Sequence, residues 1–227
     1  MANQYRNRSD GLVEQINSQD TIDSLTRSFI IYGVEGLVMT LTNSLIVCAI
    51  LRFKSLREQK EFIIVGGLAF ADGLNGLGFL IASVGRLTLI LRGDAFVLKS
   101  RWQCAISPWS IVVTFSNSLA GIALVVLSID RLLAVSIPFR YFKFTNRYAL
   151  CIVGAAFAYV VPPVCVSYYL SHQYQQPEFP AYCLSPMGMH PAYYSYFVLF
   201  HLVTSFVSVI LYIPVLITLR RVSEIIF

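Results

Sequence analysis

The sequence predicts an all-α membrane protein, a bundle of transmembrane helices. The chain of 227 residues is 56% hydrophobic and 13% charged, whereas a soluble domain is about 45–50% apolar and about 25% charged. Its apolar residues form five runs close to or above the ~20 residues that a helix needs to cross a bilayer. We expect these spans at 29–51, 62–85, 104–135, 149–170 and 193–219. Helices are required because backbone groups in hydrocarbon must hydrogen-bond internally, and the runs exceed the ~10 residues of a barrel strand.

Residues 1–28 are predicted to form a polar extracellular tail, and residues 29–227 the transmembrane bundle. No apolar stretch precedes residue 29, so the tail is not a cleavable signal peptide and the first helix is expected to direct insertion. Asn7 opens the triplet Asn7-Arg8-Ser9, which fits the acceptor pattern for N-glycosylation. This triplet agrees with an N-terminus outside the cell.

The net charge of +5 does not indicate a nucleic-acid partner, because the basic residues flank the apolar runs and form no single stripe. Lys and Arg are more frequent in the segments that an outside N-terminus would leave in the cytoplasm. After the third run, Arg140, Lys143 and Arg147 lie on one side, while residues 171–192 contain neither Lys nor Arg. The sequence therefore predicts a multi-pass protein of the plasma membrane, embedded in the lipid bilayer with its N-terminus outside.

Two of the five cysteines, Cys104 and Cys183, fall in segments predicted to face the exterior. An oxidising exterior allows them to form a disulfide. That bond would hold the start of the third helix to the loop after the fourth. Cys48, Cys151 and Cys165 fall within or beside the spans, where a cysteine behaves as a small apolar side chain.

Two charged residues, Asp130 and Arg131, are adjacent near the end of the third apolar run. Ionisable groups in a membrane helix are costly to place and usually serve a function. A short apolar stretch, then Pro138 and Phe139, then a basic segment follow them. We expect Arg131 to form a charge-assisted ion pair with Asp130.

This order of residues resembles the end of the third helix of rhodopsin-like G-protein-coupled receptors. Asn43 in the first run, Asp72 at the end of the segment 68–72 (LAFAD) and Cys104 at the start of the third run match that family in order. Departures such as Leu132 in place of the usual aromatic residue are similar to the nematode serpentine chemoreceptor families. The family has seven helices, so the resemblance implies that five of them are present and that the chain is truncated after the fifth.

The resemblance also implies roles for the residues at the end of the third helix. In the family, the aspartate at the position of Asp130 holds the arginine at the position of Arg131 in the resting state, and this arginine meets the G protein. Phe139, which follows Pro138, takes the position of the bulky apolar residue that docks into a groove of the G protein.

A polar network within the membrane is expected from Asn43, Asp72 and Asn75, with Asn43 hydrogen-bonded to Asp72. In the family this aspartate helps to hold a sodium ion, and a purely structural hydrogen-bond anchor is the alternative. The serine partner of the family's aspartate is replaced by Ala120, which argues against sodium. No other metal site and no cofactor is predicted.

The ligand side is less closely specified. Val113 stands where amine receptors carry an acid, so the resemblance argues against an amine ligand. Thr114, Asn117 and Ser118 on the third helix, with Tyr182 in the loop after the fourth, are the candidate contacts for an extracellular small molecule or peptide.

The predicted function is that of a chemosensory or peptide-sensing receptor, which relays an extracellular ligand to a heterotrimeric G protein by a shift between two states of the bundle. The alternative is a transporter or channel subunit, in which Asp72, Glu35 and Asp130 would form a polar route, although the sequence shows no repeated half. An enzyme is not expected, because the three histidines form no His-Glu-x-x-His motif and no serine elbow appears.

Overall fold

The computed structural model describes residues 5–9 and 11–226, with the main chain alone for Leu219 and residues 222–226. In chain order its helices are α1 (Gln19–Arg52), α2 (Lys54–Arg57), α3 (Lys60–Arg92), α4 (Arg101–Ala105), α5 (Pro108–Ser136), α6 (Pro138–Tyr141), α7 (Asn146–His172), α8 (Ser185–Gly188) and α9 (Pro191–Ile226). Its strands form two antiparallel pairs, β1 (Tyr5–Asn7) with β2 (Val13–Gln15) and β3 (Leu98–Ser100) with β4 (Pro177–Pro180).

Within the described residues, five helices are long and apolar enough to cross a membrane: α1, α3, α5, α7 and α9. Each overlaps one of the five predicted runs, and the predicted fold class of an all-α transmembrane bundle is confirmed. Large apolar side chains remain exposed along the outer faces, among them Leu45 at 70% and Val209 at 62%. Such continuous apolar surface is unfavourable in water and is stabilised by contact with lipid.

The first long helix starts earlier than the apolar run, at Gln19 instead of residue 29. Ser18 caps it, because its hydroxyl accepts a hydrogen bond from the main-chain N–H of Thr21 at 3.4 Å. Asp20 lies in the first turn, where a negative charge is favourable. Hydropathy marks only the part of a helix that lies in lipid, so the polar first turns could not be found from it.

The third run was expected to form one helix over 104–135, but the structure divides its start between two helices. A capping box between Ser100 and Gln103 begins the short helix α4, which contains Cys104. A second helix, α5, then starts at Pro108. Proline has no main-chain N–H to donate to the carbonyl four residues earlier, so a continuous helix is interrupted there while a new first turn is tolerated.

The bundle is held together by close approach of its helices at small residues. α3 packs against α1, α5 and α7, and α5 packs against α7 and α9. Gly36 of α1 meets α3 so closely that an added Cβ would lie 2.6 Å from the carbonyl oxygen of Gly76. Membrane helices associate through such van der Waals contact, since lipid tails are as apolar as the helix surfaces.

One end of the bundle, here called the disulfide end, is covered by the two strand pairs. The β1–β2 hairpin joins the β3–β4 pair through a bridge between Glu14 and Val97 and a hydrogen bond from Gln15 N to Phe96 O at 3.0 Å. Residues 1–28, expected as a polar tail, therefore contain a hairpin as well as the start of α1. The opposite end, where α5 finishes, is called the Asp130 end.

The contact between α1 and α3 gives a stability prediction. Gly36→Ala would force a shift of main chain at Gly76 or Leu80, and such overpacking lowers the free energy of unfolding by about 1–3 kcal/mol. Gly154→Ala on α7 is the matched control, because its added Cβ meets nothing within 4 Å. The midpoint of thermal unfolding in detergent measures both, and an unchanged midpoint for Gly36→Ala contradicts the close packing.

Candidate functional site

The carboxylate of Asp130 is fully buried at the end of α5. Its two oxygens each accept a hydrogen bond from the hydroxyl of Tyr141, at 3.1 Å. Tyr141 is the last residue of the one-turn helix α6, so this interaction holds α6 against α5. Burial first, and then the negative charge of Asp130, raise the pKa of the Tyr141 hydroxyl, which therefore stays protonated and donates to Asp130.

The expected ion pair between Asp130 and Arg131 is not formed, and this part of the sequence interpretation was wrong. The ion pairs of the described side chains lie elsewhere, at Arg6–Glu14, Arg8–Asp94 and Lys54–Glu58. Successive residues on a helix point in different directions, so Asp130 and Arg131 do not face each other. Asp130 points into the bundle, whereas Arg131 is partly exposed.

A buried lysine completes the cluster around Asp130. Lys60 is the first residue of α3, and its ammonium donates hydrogen bonds to the main-chain oxygens of Tyr141 and, at 3.2 Å, Phe144. The same ammonium lies 3.7 Å from the centre of the Tyr141 ring, a cation–π contact. Lys60, Tyr141 and Asp130 thus join α3, α6 and α5 into what we call the Asp130 cluster.

Sequence reasoning found Asp130 but missed Tyr141 and Lys60, the other two members of the cluster. Lys60 is one of several basic residues between the first two spans, and Tyr141 follows the basic Arg140 without any motif to mark it. Both lie near span ends, where Lys and Tyr are ordinary residues. Tyr141 is the buried residue of α6, and its position in the sequence did not reveal this.

The α6 helix presents apolar side chains at the surface. Pro138 starts it, and Phe139 and Phe142 are 88% and 82% exposed. Arg140 and Lys143, between and beside them, are exposed as well. Two exposed phenylalanines flanked by cations are typical of a surface that is covered by a partner.

The polar network in the middle of the bundle differs from the expected one. Asn43 donates to the main-chain oxygen of Met39 in its own helix at 2.9 Å, and not to Asp72. Asn75, which is buried, instead accepts a hydrogen bond from the hydroxyl of Ser116 at 3.1 Å, and this bond joins α3 to α5. Ser116 was missed because serine also occurs widely as a small packing residue in membrane helices.

The two possible roles of Asp72, as a sodium ligand and as a structural hydrogen-bond anchor, stay predictions. Asp72 is half-buried on α3. Among the residues that the structure describes, no three His, Cys, Asp or Glu side chains come together to hold a metal.

At the disulfide end, Cys104 and Cys183 form the predicted bond, with their Cα atoms 5.2 Å apart. The loop at Cys183 is further held by Arg86, whose guanidinium donates to the main-chain oxygens of Tyr182 at 2.8 Å and Cys183 at 2.9 Å. Cys183 has a φ of +40°, which is unfavourable for a residue with a side chain. The disulfide and Arg86 together fix this conformation.

Comparison with protein families decides the class. The family model described as the serpentine type 7TM GPCR chemoreceptor Srsx matches residues 37–225. The chain belongs to the Srsx chemoreceptor family. The prediction of a chemosensory G-protein-coupled receptor is thereby confirmed, and the transporter or channel alternative receives no support. Comparison with individual curated proteins gave no significant match.

The candidate ligand contacts of this Srsx receptor fall in three separate places. Thr114 and Ser118 are buried in α5, and Ser118 donates to the main-chain oxygen of Thr114 at 3.0 Å. Asn117 lies on an open groove of about 380 Å³ between α5 and α9. Tyr182 is packed at the disulfide end, where its ring centre lies 6.1 Å from that of Phe29. The structure does not bring Tyr182 to the other three.

Three polar groups outside the candidate ligand contacts lie close to α5. The Nε2 atom of His201 is buried without a hydrogen-bond partner among the described residues, whereas the hydroxyls of Tyr168 and Tyr193 lie beside Thr114 and Ser118. Tyr168 lines a small cavity with Thr114, and His201 lines the groove of Asn117. Most buried polar groups are satisfied in native structures, so His201 indicates a place where a ligand or water binds.

The Asp130 cluster gives a double-mutant prediction. Tyr141→Phe leaves the buried carboxylate of Asp130 without its donor, and we expect the free energy of unfolding to fall by about 1–3 kcal/mol. In an Asp130→Ala background the same change should cost much less, because the acceptor is already absent. Tyr169→Phe, at a 70% exposed residue of α7, is the control. Equal losses in both backgrounds would show that Tyr141 and Asp130 do not interact.

Proposed function

We propose that this receptor lies in the plasma membrane with its N-terminus outside, and that it relays an extracellular small molecule or peptide to a heterotrimeric G protein. The position of the disulfide supports the orientation, since such bonds persist in an oxidising exterior. The exposed Arg140 and Lys143 at the opposite end agree with the excess of positive charge that cytoplasmic segments carry.

The Asp130 cluster is the observation that carries the coupling proposal. Lys60 and Asp130 fix Tyr141 from both sides, so α6 is held in one position with Phe139 pointing outward. An apolar side chain on a helix that is already held in place binds a partner with little loss of conformational entropy. Phe139 is proposed to insert into an apolar groove of the G protein, and Pro138 to start the helix that presents it.

Arg131 is proposed to contact the G protein directly, and not to form an ion pair with Asp130 that stabilises the resting state. Its partly exposed side chain has no ion pair with Asp130 that would have to be broken first. A guanidinium with five donors can bind main-chain carbonyl groups of an incoming helix. Asp130 then acts as a positioning residue, because it stabilises α6 through Tyr141.

The ligand is proposed to contact the groove between α5 and α9. Its lining combines the polar side chains of Asn117, His201 and Ser205 with the apolar Phe197 and Leu202. A volume of about 380 Å³ is in the range of small-molecule sites, about 300–1,000 Å³. A neutral molecule with an apolar body and hydrogen-bonding groups fits this lining, and Val113 offers no charge for an amine.

Coupling is tested with Phe139→Ala. Because Phe139 is 88% exposed, the substitution should leave folding unchanged and weaken G-protein binding about tenfold or more, as expected for an apolar anchor. Nucleotide exchange on purified heterotrimeric G protein, measured against receptor concentration in lipid nanodiscs, gives the affinity. Ile137→Ala, at a 37% exposed residue before α6, is the control. Unchanged exchange with Phe139→Ala would contradict the docking role.

Orientation is tested at Asn7. This residue is exposed in β1, so an outside N-terminus predicts that it carries a glycan in a eukaryotic host. Asn7→Gln should then abolish the mobility shift that a deglycosylating enzyme produces. An N-terminal epitope that antibody reaches only after cell permeabilisation would contradict the proposed orientation.

A further inference from the structure

A second groove lies on the outside of the bundle at the Asp130 end, between α1, α3 and α7, and its volume is about 380 Å³. Its wall is apolar and comes from the last turns of α1 and the first turns of α3 and α7: Val47, Ile50, Leu51, Ile63 and Leu150. Gly66 lets Ile50 pack closely against α3 in this wall, because an added Cβ would lie 3.2 Å from the Cδ1 atom of Ile50. These residues lie at the ends of membrane spans, so the groove faces the boundary between hydrocarbon and headgroups.

The outer rim of the groove is polar. Asn146, at the start of α7, donates to the main-chain oxygen of Arg57 at 3.0 Å. This bond holds α2 beside α7 and places Arg57 in the groove lining. The groove is therefore apolar along its length and cationic at the rim.

The charge of Arg57 is not balanced by a neighbouring carboxylate. The nearby Glu58 pairs with Lys54, at 3.6 Å, and the ion pairs of the described residues do not include Arg57. Arg52 and Arg147, at the ends of α1 and α7, are exposed and add positive charge to the same end of the bundle. This surface favours a ligand with a negative headgroup.

We propose that this groove, the α1–α3–α7 groove, binds one anionic phospholipid, with its phosphate on Arg57 and an acyl chain along Val47, Leu51 and Leu150. A lipid is amphipathic in the same sense as the groove, with an apolar chain and a charged end at the membrane surface. A second copy of the chain fits less well, because a symmetric contact through this face would bring like charges together. The inference rests on the proposed orientation only for the assignment of the lipid to the cytoplasmic leaflet.

The test compares phosphatidylserine with phosphatidylcholine. Purified receptor is equilibrated with nanodiscs that contain both lipids, released into mild detergent, and examined by native mass spectrometry for retained lipid. The unsubstituted receptor should retain one phosphatidylserine in preference to phosphatidylcholine. Arg57→Gln should lower phosphatidylserine retention about fivefold, the effect of one cation near a membrane surface.

Two further variants separate the groove from general surface charge. Lys143→Gln removes an exposed positive charge from the same end of the bundle outside the groove, and retention should stay as in the unsubstituted receptor. Leu150→Trp fills the groove at a 61% exposed position, so it should abolish retention of the anionic lipid without unfolding the bundle. The midpoint of thermal unfolding confirms that each variant is folded.

Three results would overturn the proposal. Equal losses for Lys143→Gln and Arg57→Gln would assign the binding to diffuse surface charge. Equal retention of both lipids would show that the headgroup is not recognised. A receptor dimer that Leu150→Trp dissociates would show that a second copy occupies the groove.

Nucleotide exchange in discs of phosphatidylcholine alone, measured in parallel, keeps this proposal separate from the proposed function. Lipid retention without exchange would overturn the coupling proposal alone. Exchange without selective retention would overturn the lipid site alone.

Discussion

The buried carboxylate of Asp130 imposes the constraint on which the Asp130 end depends. A carboxylate removed from water is stable only with donors or positive charge beside it. The Tyr141 hydroxyl supplies the donor, and the Lys60 ammonium binds the main chain of the same segment and lies over the Tyr141 ring. Because these residues come from different helices, satisfying one carboxylate also sets where α3, α5 and α6 meet.

The opposite end is fixed by different chemistry. A disulfide joins α4 to the segment before α8, and Arg86 of α3 holds the carbonyl groups beside it. The strand pairs lie over this end and connect the N-terminal hairpin to the later loops. A disulfide at one end and side-chain hydrogen bonds at both ends leave the packing in between to small residues and to the hydrogen bond between Ser116 and Asn75.

Helix α5 reaches both restrained ends. Trp109 in its first turn donates to Cys183 O at 3.4 Å, and Asp130 lies near its last turn. The candidate ligand contacts Thr114, Asn117 and Ser118 lie between them on the same helix. A receptor of this family transmits the binding of a ligand on one side to a G protein on the other. A rigid helix such as α5, which contacts both sides, can carry that coupling.

The failures of the sequence interpretation share one cause. Asp130 and Arg131 are adjacent in the chain but separated by rotation about the helix, so adjacency suggested an ion pair that the structure does not form. Asn43 and Asp72 were expected to form a hydrogen bond because they are polar residues on neighbouring helices. The rotation of each helix about its own axis instead gives the interhelical bond to Asn75. Lys60 lies far from Asp130 in sequence, and only the packing of α3 against α5 and α6 brings them into one cluster.

Hydropathy and residue order by themselves determined the membrane bundle, its five helices, the disulfide cysteines and the receptor family. The membrane helices could be predicted because the free energy of transfer into lipid depends on composition and length, which are properties of the chain alone. The tertiary structure alone decided which donor satisfies Asp130, how α6 exposes Phe139, and where the grooves lie. Those features depend on the rotation and separation of packed helices, and side-chain contacts over a few ångströms set both.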